Sequence, residues 1–87
     1  MKFGIVIKFE RRNIRLKVEQ IAATARIEQY KVTARNQSFV IENNRPLFLN
    51  KGLKHRQCNW KVIKGGYSQQ HILGLITKEI ESYLKDH

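Results

Sequence analysis

Eighty-seven residues confine this chain to one small domain, residues 1–87, because a second hydrophobic core would starve the first. Seventeen Lys and Arg against seven Asp and Glu leave a formal charge of +10, an imbalance that speaks of an anionic partner rather than of any particular fold. Val, Ile, Leu and Phe together number 26, which excludes the disorder expected of a highly charged, apolar-poor chain.

In chain order, Phe3, Ile5, Ile7 and Phe9 alternate with Lys2, Gly4 and Lys8, the period of a half-buried strand over residues 2–9. Glu10, Arg11, Arg12 and Asn13 form a polar break. Ile14, Leu16 and Val18 then alternate with Arg15, Lys17 and Glu19, so the two segments predict a hairpin. Residues 20–29 contain Ile21, Ala22, Ala23 and Ala25, which favour helix by propensity but carry no apolar stripe, and they are read as a connection or bulged region. From Ile27 to Arg35 the pattern returns to strand, with Tyr30, Val32 and Ala34 on one face and Lys31, Thr33 and Arg35 on the other. A turn at Asn36 and Gln37 would pair Arg35 with Ser38, set Ala34 opposite Phe39 and Val32 opposite Ile41, and face Lys31 to Glu42.

Asn43, Asn44, Arg45 and Pro46 predict a turn, leaving Leu47, Phe48 and Leu49 as a short edge strand or anchored loop. Trp60 to Lys64 predicts a last short strand, ended by Gly65 and Gly66. Ile72, Leu73, Ile76, Ile80, Tyr83 and Leu84 form one stripe of a C-terminal helix, with Ser68 as its N-cap and Tyr67 packing back on Ile72. The expected fold is α+β, an antiparallel sheet of four to five strands with one C-terminal helix packed on one face.

The charge is unevenly placed. No acidic residue occurs between Glu42 and Glu79, while Arg45, Lys51, Lys54, Arg56, Lys61, Lys64 and Lys78 fall in that interval. Such a block suits a phosphate backbone, whose neutralisation releases counterions, and predicts nucleic-acid or other polyanion binding by Lys51, Lys54, Arg56, Lys61 and Lys64. Gly65, Gly66 and Ser68 add a strand-to-helix turn where two glycines permit close approach and free N–H groups face an anion. A second basic surface is expected from Arg15, Lys17, Lys31 and Arg35 on the exposed sheet face. Trp60 would either anchor the core or stack a base beside His55, Arg56 and Lys61.

Other chemistries find little support. His55, Cys58, His71 and His87 lack the paired spacing of a zinc site, Cys58 with His55 has no nucleophile signature, and the basic half holds no carboxylate pair. No cofactor and no metal are expected. A double-stranded RNA-binding domain would open with a helix, and an RNA-recognition motif would show two helices; neither pattern is present. The leading expectation is a non-catalytic domain binding RNA or DNA. The alternatives are an accessory domain with an acidic protein partner or a second copy paired at a sheet edge, and a metal-independent ribonuclease using His55, His71 and Arg56. One cysteine cannot form an internal disulfide, and no segment approaches the roughly 20 apolar residues of a membrane span, so a cytoplasmic protein without a leader is expected.

Overall fold

The alternating N-terminal pattern builds the first two strands of a meander. The computed structural model describes residues 1–35, 37–52, 58–65 and 70–86. Within them run β1 (Lys2–Phe9), β2 (Arg12–Ala23), β3 (Glu28–Ala34), β4 (Gln37–Asn43), α1 (Arg45–Asn50), β5 (Trp60–Lys64) and α2 (Gln70–Asp86). The five strands pair in sequence order, each antiparallel to the next. This is the α+β arrangement expected, with a five-stranded sheet.

The β1–β2 loop is two residues rather than four. Phe9 pairs with Arg12, and Glu10 and Arg11 between them take φ values of 50° and 64°. Two successive left-handed residues are what a type I′ hairpin needs to match strand twist, and side chains other than Gly and Asn accept that strain here. The ambiguous segment after Val18 is a bulged strand. Pairing slips between Gln20 and Ala22, so Ile21 is the extra, exposed residue and β2 continues to Ala23. Partnership with β3 overrides the helical leaning of the alanines. The following turn closes on Thr24, whose Oγ1 accepts from the N–H groups of Arg26 at 3.1 Å and Ile27 at 3.0 Å.

The β3–β4 register differs from the expected one by two residues. Ala34 lies opposite Gln37, Val32 opposite Phe39 and Tyr30 opposite Ile41, while Gln29 rather than Lys31 faces Glu42. A two-residue shift leaves every side chain on its original face, so facial matching could not distinguish the registers. The turn instead takes in Arg35, whose φ is 51°, and Gln37 already belongs to β4.

Residues 45–50 form a helical turn and a half, not an edge strand. Pro46 sits in the first turn of α1, where its missing N–H costs nothing and its fixed φ suits the helix. Asn43 Oδ1 accepts from the Arg45 N–H at 2.9 Å, and Asn44 Oδ1 from the Asn59 N–H at 2.8 Å.

Helix α2 covers one face of the sheet. Ile72, Ile76, Ile80 and Leu84 are buried against Ile5, Ile7, Leu16, Val18, Tyr30, Val32, Phe39 and Ile41, with Leu73 and Tyr83 packed at the margin as the stripe predicts. The Tyr83 ring stacks on Phe3 with centroids 3.8 Å apart. The predicted N-cap Ser68 and its neighbour Tyr67 lie outside the described residues. No described helix is long and apolar enough to cross a membrane. Gly74 is exposed in the interior of α2, and a methyl group there would meet nothing within 4 Å. Gly74→Ala is therefore expected to raise stability by about 1 kcal/mol in urea denaturation, through helix propensity alone.

Candidate nucleic-acid interface

Strand alternation that sends the apolar residues under α2 sends a basic set to the opposite face. The register places Lys2, Glu19, Lys31, Val40 and Lys64 in one row across all five strands. Beside it runs a row of Gly4, Lys17, Thr33 and Ser38, followed by Val6 opposite Arg15 and Lys8 opposite Asn13. Lys2, Lys8, Arg15, Lys17, Lys31 and Lys64 are all exposed. Strands stand about 4.8 Å apart, so Lys17 and Lys31, diagonal neighbours on β2 and β3, present their charges from Cα positions only about 7–8 Å apart.

Among the described residues, two carboxylates temper this face. Lys2 Nζ lies 3.8 Å from Glu19, an exposed and weak contact. Glu42 is more firmly engaged. Gln29 Nε2 donates to its Oε1 at 3.0 Å and Lys61 Nζ lies 3.1 Å from its Oε2, and these two contacts hold the carboxyl below its ordinary range. Lys8, Arg15, Lys17, Lys31 and Lys64 have no ion-pair partner among the described residues. Lys2, Gly4, Lys17, Glu19, Lys31 and Thr33 surround a depression of about 500 Å³.

Of the residues singled out in the acid-free interval, Lys51, Lys61, Lys64 and Gly65 are described. Lys64 joins the open face at its β5 edge, and Lys61 is engaged with Glu42. Lys51 follows α1, beyond the sheet end where Asn50 Nδ2 donates to the Ala25 carbonyl at 2.8 Å. Lys54, Arg56, Gly66 and Ser68 lie outside the described residues, as does His55. Gly65 has a packing reason for being glycine. Its φ is 80°, and a Cβ would stand 2.9 Å from the Ser38 carbonyl oxygen and 3.1 Å from Phe39 Cα.

Trp60 belongs to the covered side. It is half-buried, its ring centroid is 6.0 Å from that of Tyr30, and its Nε1–H donates to Glu81 Oε1 at 2.7 Å. A polar cluster surrounds that end of the core. Glu28 is only 7% exposed; Arg45 Nη1 reaches its two oxygens at 3.3 and 3.1 Å and Gln20 Nε2 donates to Oε2 at 3.2 Å. Gln20 Nε2 also lies 3.3 Å from the Tyr30 hydroxyl, and buried Asn43 Nδ2 has no acceptor among the described residues.

Burial, then the charge of Glu28, raises the Tyr30 phenol well above its ordinary value of 10.0. Burial, then a hydrogen bond to Glu81 at 3.2 Å, pushes the Cys58 thiol up to about 12. A thiol so held is protonated at neutral pH and a poor nucleophile. Both groups are neutral when folded and ionise more readily when unfolded, so their contribution is complete below pH 9 and is lost as pH rises. Melting temperature is expected to be level from pH 7 to 9 and then to fall, each group contributing a slope of about 1.4 kcal/mol per pH unit above its unfolded value. Tyr30→Phe should flatten the decline above pH 10 and Cys58→Ala its beginning near pH 9. A level profile to pH 11 would contradict the burial of both.

Comparison with protein-family models, curated proteins and solved structures found no match to this chain.

Proposed function

We propose that this chain is a small non-catalytic nucleic-acid-binding domain that holds phosphate groups on the open face of its sheet. The observation that carries the reading is the set of Lys2, Lys8, Arg15, Lys17, Lys31 and Lys64 exposed on one face, with Lys2, Lys17 and Lys31 lining a depression and with two carboxylates on that face among the described residues. Charge concentrated on a broad surface raises the local concentration of a polyanion and gains affinity from counterion release. Lys61, on the same edge strand as Lys64, adds to the positive field of this face although Glu42 engages it.

Lysines also stand on both edge strands, Lys2 and Lys8 on β1 and Lys61 and Lys64 on β5. Edge lysines oppose strand addition, which disfavours pairing with a second copy as the main role. Titrating the protein against generic RNA and DNA at increasing salt tests the proposal. Engagement of about four phosphates gives a log–log slope near −3 to −4, and absence of binding at low salt would sink it.

A further inference from the structure

We infer, resting on the polyanion reading above, that the occupant of the open face is double-stranded RNA, bound through phosphates and 2′-hydroxyls without regard to base sequence. Three features of the face lead there. The first is the position of the rings. Phe3, Phe9, Tyr30, Phe39 and Trp60 all lie on the helix-covered side of the sheet, and Phe48 and Tyr83 belong to the helices. Sheets that bind single strands do so by stacking unpaired bases on exposed aromatic rings, and the described strands turn no ring to this face. A single strand therefore gains only its charge here, and a duplex brings a denser array of phosphates.

The second feature is shape. Five strands about 4.8 Å apart make a sheet roughly 19 Å across, wider than the major groove of B-form DNA at about 12 Å. It is recessed toward its β1 side, where Gly4, Lys17 and Lys31 line a depression. Such a surface lies against a wide, shallow groove, which is the minor groove of A-form RNA.

The third is the chemistry of the central row. Thr33 and Ser38 face outward beside Lys17, opposite each other on β3 and β4, and neither hydroxyl has a hydrogen-bond partner among the described residues. Hydroxyls that both donate and accept match the 2′-hydroxyls lining the RNA minor groove, which DNA lacks. Lys17 stands in that row and Lys2, Lys31 and Lys64 in the row beside it, placed for the phosphates bordering the groove.

The test is fluorescence anisotropy of the intact protein with labelled duplexes of about 20 base pairs, in two unrelated RNA sequences, the matching DNA duplex and the matching single-stranded RNA, over a salt series. The RNA duplexes are expected to bind within about twofold of each other and about tenfold tighter than either the DNA duplex or the single strand. Lys17→Gln with Lys31→Gln should reduce the salt slope by about two. Thr33→Ala with Ser38→Ala should bring RNA-duplex affinity down to the DNA value and leave the slope unchanged. DNA or single-stranded RNA bound as tightly as duplex RNA would overturn the inference while leaving polyanion binding intact. No binding to any probe would overturn the polyanion reading itself. An unchanged slope in the lysine variant, with a wild-type thermal melt, would remove the open face as the site.

Discussion

Reversing two charges at the centre of the open face, Lys17→Glu with Lys31→Glu, is expected to weaken polyanion binding roughly a hundredfold at moderate salt. Each reversal removes an attraction and installs a repulsion, and about 1.4 kcal/mol per position is a factor of ten. Both side chains are exposed, so the fold should survive. Glu at position 31 would lie opposite Glu19, a like-charge pair costing a few tenths of a kcal/mol. The informative control alters net charge equally in another place. Lys78 and Lys85 are exposed on α2, on the other side of the sheet, and Lys78→Glu with Lys85→Glu should weaken binding only severalfold through the long-range field. Equal losses in the two double variants would mean that the charge acts globally and that the open face is no site.

Gly65→Ala should remove about 2–4 kcal/mol of stability, from roughly 1–2 for a left-handed backbone and the remainder for the clash with β4. For a domain of this size that is a large share of the whole, and the melting temperature is expected to fall by roughly 10–25 °C. The contrast with Gly74→Ala, which meets open space on a helix, isolates the cause. If Gly65→Ala melted like the native chain and yet lost polyanion affinity, the glycine would be serving an anion rather than the packing of β5 on β4.

Strand identity and facing were legible in the sequence because alternation is a local property. The same alternation that buries Ile5, Leu16, Val18 and Val32 exposes Arg15, Lys17 and Lys31, so part of the open face could be read before any register was known. Register was not legible between β3 and β4, since a shift of two exchanges partners without exchanging faces, and the turn chemistry at Arg35 is unusual for a positive φ. Helix α1 was hidden because six residues are too few to show a period and Pro46 opens a helix as readily as it ends one. The acid-free interval from 43 to 78 groups basic residues that are neighbours in sequence. Lys2, Lys17, Lys31 and Lys64 come instead from four strands, joined only by pairing, and no contiguous window contains them. Gly65 shows a different limit: the pattern of two glycines before a helix reads equally as an anion turn and as a close crossing, and only the 2.9 Å approach to Ser38 distinguishes the latter.

The central claim, that the open sheet face is the binding surface, is tested most directly by following backbone amide resonances of the labelled protein while an RNA duplex is added. The account predicts perturbations concentrated at Lys2, Gly4, Lys17, Lys31, Thr33 and Ser38 and weak effects along the outer side of α2. Perturbations confined to residues 51–57 and 66–69, with the central strands silent, would contradict it.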